Sequence, residues 1–375
     1  MALFWYLIET ISLDKSKRNM KNLYAYFGLI DLHDVDSPGH SLYQLGLLDS
    51  ICETYGEAKF DFYSYYPDEV IRNANIQSFP NTELGEVFKR YRTAIFDKDK
   101  TSLDEVLFGI IEKKYDKLYL KARFRNLSTL AKKWKDAQEF ERIIKKAINS
   151  GYSKDQIIIL DTDLSLSDNF VKEYGAWVTI LIPSIDFPGI SKRFLLDCMD
   201  THTSFNTNSV FYGNIDTSKY KAGNSKSNIL GDVLSWVNSK HNVIYSKSPF
   251  YIICKANDLL SIEVKPNTRH IDRHDRVKIW NALEDGGIML NVTKEKYAEV
   301  QFIPARIYEA LIFGLIPVSY RFDFLSKTFS FNNLDDLQEI YRYLGECDNA
   351  GLQQAYHHYI GDYLKHTSNL SVTRF

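Results

Sequence analysis

Two kinds of apolar run alternate along the chain. Short unbroken runs predict buried strands, and stretches in which apolar positions recur every three or four residues predict amphipathic helices. The first strand is expected over Asn22–Ile30 (NLYAYFGLI). The loop DLHDVDSPGHS, dense in turn formers, follows it. Leu42, Leu45, Leu48 and Ile51 then share one face of a helix over Ser41–Tyr55, and Phe60–Tyr66 alternates as a second strand. Further strands are expected at Lys117–Phe124, Ile157–Leu160 and Trp177–Ile182. After the Pro-containing segment PSIDFP and a helical or irregular stretch to Met199, the alternation starts again. It runs through a strand at Val210–Tyr212, a helix at Asn228–Asn238 and a strand at Asn242–Ser246. Ser261–Val264, a helix at Arg273–Leu283 and the strand GGIMLNV from Gly286 come next. FIPARIYEALIFGLIPVSY (302–320) reads as loop, helix and buried strand. Pro304 suits the first helical turn, Gly314 the C-terminus, and Pro317 prevents continuation. Leu334–Leu344 and Gln353–Leu364 read as terminal helices.

This order predicts an α/β protein of two Rossmann-like halves facing each other across a cleft. The expected boundaries are an extension at 1–19, an N-terminal domain at 20–183, a linker at 184–208, a C-terminal domain at 209–350, and a C-terminal helix and tail at 351–375. The length of 375 residues fits two domains. MALFWYLIETI is too short to span a bilayer and lacks the basic leader and cleavage site of a signal peptide. Met20 is the expected start of the fold, and no membrane partner is expected. Cys52, Cys198, Cys254 and Cys347 are far apart and show no metal-ligand spacing, so a reduced, cytoplasmic setting is expected and neither a zinc site nor a disulfide framework is indicated.

Charge changes the picture locally. The chain has a formal net charge of −2, yet residues 89–146 hold seventeen Lys/Arg against nine Asp/Glu. Lys113, Lys114, Lys121, Arg123 and Arg125, interleaved with aromatics, are candidates for contacting a nucleic-acid backbone. The same residues also read as solvated faces of a strand and helices.

Four places carry candidate chemistry. Arg306 and Glu309, three apart at a helix N-terminus, suit a phosphate and a pair of sugar hydroxyls, and equally read as a surface ion pair. The loop opening with Gly213 and Asn214 and carrying Lys219 and Lys221 reads as a phosphate cradle or as a plain surface loop. Asp161 and Asp163 end the apolar run IIIL, where a carboxylate can serve as general base or simply turn the chain. His40, ending the first loop, is a candidate polar group of the crevice or a helix cap. The absence of GxGxxG from that loop argues against a dinucleotide cofactor there.

Taken in order from about Met20 onward, these segments resemble the GT-B glycosyltransferases, most closely the bacteriophage DNA glucosyltransferases that modify hydroxymethylated bases. ARIYEAL is similar to the family's Arg-x-x-Glu helix, VFYGNID to the start of its donor domain, and IIILDTDL to the strand bearing its catalytic base. KKYDKLYL resembles the strand before its DNA-facing region. The resemblance implies an inverting transfer of sugar from a UDP-sugar to a hydroxymethylpyrimidine in double-stranded DNA, by a monomer needing no metal or cofactor. If phage-encoded, it would work in the cytoplasm of the infected bacterial host. Arg306 would then contact the donor diphosphate, Glu309 the ribose, and Asp163, with Asp161 second, would be the base. The C-terminal helix would pack back on the first domain. Where the family has arginines on the diphosphate this chain offers Lys219 and Lys221, and His40 stands where the family has a Glu near the sugar. The Asp-x-Asp spelling is also that of a metal motif in another glycosyltransferase class, but the surrounding architecture is not of that class. Two other functions fit the same sequence: a glycosyltransferase with a non-DNA acceptor, and a non-catalytic nucleotide-sugar binder.

Overall fold

The computed structural model describes residues 21–26, 60–65, 81–87, 101–121, 135–161, 166–182, 190–213, 230–236, 248–254, 267–272, 275–293, 295–299, 301–369 and 373–374. Within them lie two six-stranded sheets. The first is built from β1 (Lys21–Tyr26), β2 (Phe60–Ser64), β3 (Tyr115–Lys121), β4 (Ile157–Leu160) and β5 (Thr179–Ile182), in the spatial order 2-1-3-4-5. Those five pair in parallel. The helices α1 (Leu103–Ile111), α2 (Lys135–Asn149) and α3 (Asp168–Tyr174) belong to this half. β4 is IIIL and every residue of it is buried, the pattern of a parallel strand covered on both faces. Its register against β3 sets Ile157 and Ile159 into one core, with Phe140 and Ile144 of α2, and Ile158 and Leu160 into another.

α1 starts where Ser102 and Glu105 close a capping box, each side chain bonding the other's backbone N–H. The strands' amino ends are tied by Asp61. Its carboxylate takes Lys21 Nζ at 2.8 Å, Lys114 Nζ, and the Tyr115 hydroxyl at 3.1 Å.

α4 (Ile190–Thr201) leads into the second sheet, built from β6 (Ser209–Tyr212), β7 (Phe250–Cys254), β8 (Thr268–Asp272), β9 (Ile288–Asn291), β10 (Ile316–Tyr320) and β11 (Ser330–Phe331). α5 (Arg276–Glu284) precedes β9 and α6 (Ala305–Ile312) precedes β10. The spatial order is β8-β7-β6-β9-β10-β11, and every pair is parallel. Renumbered from the first strand of this half, that is 3-2-1-4-5-6, the order of a dinucleotide-binding Rossmann sheet. β6, β7, β9 and β10 are buried along their whole length. The two halves together make a two-domain Rossmann-like α/β fold.

Several expectations need correction. β7 (FYIIC) and β8 (TRHID) were not expected as strands, and the segment Asn242–Ser246 lies outside the described residues. Within the expected segment 184–208, where a helical or irregular stretch to Met199 was expected, lies α4, whose Phe194, Leu195 and Cys198 are part of the second half's core. The C-terminal helix, α8 (Asn349–Asn369), follows α7 (Leu334–Glu346). Its Tyr356, Tyr359, Ile360 and Tyr363 are buried in the second core. Beyond it, β12 (Thr373–Arg374) pairs antiparallel with β5. Residues 83–87 also cross between halves. Leu84 and Val87 join the second core, and Thr82 donates to Glu284 at 3.0 Å.

Candidate functional site

In open parallel sheets ligands bind outside the carboxyl ends of the strands, where the strand order reverses. In the second sheet that point lies between β6 and β9, which are hydrogen-bonded neighbours. β6 ends in Tyr212 and runs into Gly213; β9 ends in Asn291, followed by the buried Val292 and Thr293.

α6 brings its first turn to this place. Its N-cap is Pro304, which makes no side-chain cap bond. The helix dipole favours an anion at this end. Arg306 reaches from that turn onto Gly213. A Cβ built at Gly213 would stand 2.8 Å from one guanidinium nitrogen of Arg306 and 3.0 Å from the other. The absence of a side chain at 213 is what lets the guanidinium lie against the backbone. Its Cζ is 5.9 Å from the centre of the Tyr212 ring, so the ring supports the cation from β6. Glu309, one turn further along, is 1 % exposed. The apolar positions Ile307, Tyr308, Ala310 and Leu311 anchor this short helix in the core around them.

The carboxyl end of α6 is fixed by two residues that the sequence did not single out. Tyr356 of α8 donates its hydroxyl to the Leu311 carbonyl. His202, just after α4, lies 3.0 Å through Nε2 from the Ile312 carbonyl. Burial pushes the His202 pKa down, partly offset by that carbonyl, so a neutral ring donating Nε2–H suits the contact. Gly314 turns the chain at φ 75°, and a Cβ there would meet the His202 ring at 2.9 Å. These clamps hold the helix whose other end carries Arg306.

Asn291 was also missed, though a polar residue closing an apolar run was a visible signal. It is fully buried, and its Nδ2 donates to Ser319 Oγ at 3.1 Å. Its Oδ1 has no hydrogen-bond partner among the described residues. A buried carbonyl oxygen at the carboxyl edge of a central strand is an acceptor for a ligand donor or a water.

The first sheet reverses its order between β1 and β3. β3 ends there in Lys121, which is 1 % exposed and sits opposite Tyr26 of β1 and Leu160 of β4. Asp161 follows β4 at the same edge and is buried; its Oδ2 accepts the Leu166 N–H at 3.3 Å. Asp163 itself lies outside the described residues.

Among the described candidate DNA contacts, Lys113 and Lys114 lie apart from Lys121. Lys113 and Lys114 lie at the amino end of β3 and Lys121 at its carboxyl end, about 20 Å away at the usual strand rise. Lys114 is engaged with Asp61. Lys121 is inside the protein, not on a surface that a duplex could touch. His40, Arg123, Arg125, Asn214, Lys219 and Lys221 lie outside the described residues.

The structure therefore brings together Arg306, Glu309 and Gly213 at one carboxyl edge, and Lys121 and Asp161 at the other. Among the described residues no helix is long and apolar enough to cross a membrane. No protein-family model matches the chain, and no curated protein matches it.

Proposed function

We propose that this chain is a glycosyltransferase that takes its sugar from a nucleoside-diphosphate sugar held on the second sheet. The observation that carries the reading is the Arg306 guanidinium laid against Gly213 at the reversal point of that sheet, with Glu309 buried one turn away. A planar cation next to bare backbone suits a diphosphate, and a carboxylate three residues along suits a ribose diol.

In this reading the two carboxyl edges face each other across a cleft, and the acceptor hydroxyl lies on the first sheet. Asp163 takes the proton as the acceptor oxygen attacks the anomeric carbon. The bond to the diphosphate oxygen breaks with inversion, and the electron pair leaves on the nucleoside diphosphate. Arg306, Lys219, Lys221 and the α6 N-terminus compensate the growing charge. The acceptor we propose is a hydroxymethylated pyrimidine in duplex DNA, flipped out of its stack to reach the cleft. UDP is the proposed donor nucleotide, on the resemblance of ARIYEAL.

A non-DNA acceptor is the second reading. The burial of Lys121 and the engagement of Lys114 with Asp61 favour it. Incubation with UDP-sugars and hydroxymethylated DNA, read by nucleoside mass spectrometry, separates the two. A sugar mass on the base, lost in Asp163→Asn, supports DNA. UDP-sugar turnover that is indifferent to DNA supports the other acceptor. No turnover of any nucleotide-sugar, with UDP still bound, leaves a binding protein without catalysis.

A further inference from the structure

We propose that the groove between α1 and α2 is a second nucleic-acid contact, one that grips the sugar–phosphate backbone at a distance from the crevice; this rests on the DNA-acceptor reading. The groove encloses about 400 Å³ and is lined by Leu107 of α1 and by Gln138, Glu141, Arg142, Lys145, Lys146 and Asn149 of α2. Arg142, Lys145 and Lys146 follow helical i, i+3, i+4 spacing, so they project from one side of α2. Glu141 is the one carboxylate in the lining, and it bridges Lys145 at 3.3 Å. No ion pair among the described residues involves Arg142 or Lys146. Outside the lining, a further cation, Lys113, lies near the carboxyl end of α2. Its Nζ sits 4.2 Å over the Tyr152 ring, and Tyr152 N–H bonds the Ala147 carbonyl at the end of α2.

The helix dipole accounts for some of this charge, since cations are favoured in a last turn. It does not account for the apolar surface of the neighbouring helix. α1, which gives Leu107 to the groove, also exposes Phe108 (64 %) and Ile111 (49 %). Cations along the groove and exposed apolar side chains on the adjoining helix suit a polyanion that also offers flat apolar faces. That describes a nucleic-acid strand better than an acidic peptide. The groove lies on the α1/α2 face of the first sheet and takes in the carboxyl half of α2, which leads back to the amino edge of β4. A duplex held there and at the crevice would be gripped at two separate stretches.

The test is fluorescence anisotropy of the full chain with mixed-sequence duplex DNA between 50 and 200 mM salt, comparing wild type with R142Q/K145Q/K146Q. Each neutralised phosphate contact steepens the salt slope by about 0.9. The triple variant should therefore lose about 2.7 from the slope, which narrows the affinity change across that range by about 40-fold. Lys113→Gln alone should lose about 0.9. UDP calorimetry and urea unfolding of the same variants should match wild type, because these side chains lie away from the second sheet. An unchanged slope overturns the proposal. So does binding of poly-glutamate, but not DNA, with the same dependence on the three cations. Loss of UDP binding in Arg306→Met with the DNA slope intact, or the reverse, distinguishes a failure of the donor assignment from a failure of this one.

Discussion

Gly213→Ala isolates the feature on which the donor site depends. The added methyl would stand 2.8 Å and 3.0 Å from the two terminal guanidinium nitrogens of Arg306 and 3.1 Å from its Cζ. Heavy atoms in comfortable contact sit about 3.5–4.0 Å apart, so the guanidinium must withdraw by about 0.5–1 Å. It can do so because it is the free end of a long side chain; Gly213 also holds φ 157°, where a side chain strains the backbone, so alanine is expected to cost stability as well as binding. Hydrogen bonds to charged groups contribute about 1.5–3 kcal/mol each. Losing the alignment of one arm of an Arg–phosphate fork should weaken UDP by roughly 10- to 150-fold. Isothermal calorimetry at fixed salt gives the affinity, and urea unfolding of the same sample shows whether the folded fraction has changed. The decisive comparison is a double-mutant cycle with Arg306→Met. If Gly213 acts by admitting the guanidinium, alanine at 213 should cost almost nothing once Arg306 is gone. An equal loss in both backgrounds would refute the reasoning, as would full UDP affinity in the Gly213→Ala single variant.

Other outcomes follow from the packing. Desolvation raises the Asp61 pKa, but Lys114 and Lys21 outweigh it and hold the carboxyl below its ordinary value. Because the folded pKa is depressed, the stabilisation is fully present above the unfolded value near 3.9 and disappears as pH falls through the folded value. Both lysines are over 40 % exposed, so Asp61→Asn should cost only about 1 kcal/mol at pH 7 after solvent screening, and the difference from wild type in urea unfolding should vanish at low pH. A persistent difference below pH 2 would contradict the ionic account. Tyr356→Phe leaves the Leu311 carbonyl without its hydroxyl donor and should cost about 1–3 kcal/mol. If α8 locks α6 in place, that variant should also weaken UDP binding in calorimetry, whereas an affinity equal to wild type would confine Tyr356 to stability.

The alternation of apolar runs was enough to read two α/β halves, because parallel strands buried on both faces, such as IIIL and IPVSY, leave little room for polar residues. It was less able to read the edges. β8 (TRHID) lies at the edge of its sheet and is partly exposed, so its sequence carries no apolar run. In HNVIYSKSPFYIIC two apolar runs lie close together, and FYIIC forms β7. The tyrosines of α8 announced a buried face without naming its partner. Tyr356, Tyr359 and Tyr363 would suit either core, and pairing of α8 with the second sheet is a property of the whole chain.

The site was legible where one helix carries it. Arg306 and Glu309 are local to α6, and their spacing places them together whatever surrounds them. Gly213 becomes part of the same site only through the sheet, which sets the end of β6 beneath a helix some ninety residues later. Lys121 shows the opposite case. In sequence it belongs to a basic run, but its place as the last residue of β3 puts it inside the protein. A charge count along the chain cannot distinguish a buried ammonium from a surface one. His202 and Tyr356 contribute to the site through backbone carbonyls at the far end of α6, a relation that leaves no mark in residue type or spacing.

The donor assignment is tested most directly by calorimetric titration of UDP into the wild-type chain and into Arg306→Met. The account predicts saturable one-to-one binding in wild type and at least tenfold weaker binding in the variant, with matching urea unfolding curves. Folded wild-type protein that binds no UDP, or a variant that binds it as well as wild type does, would contradict it.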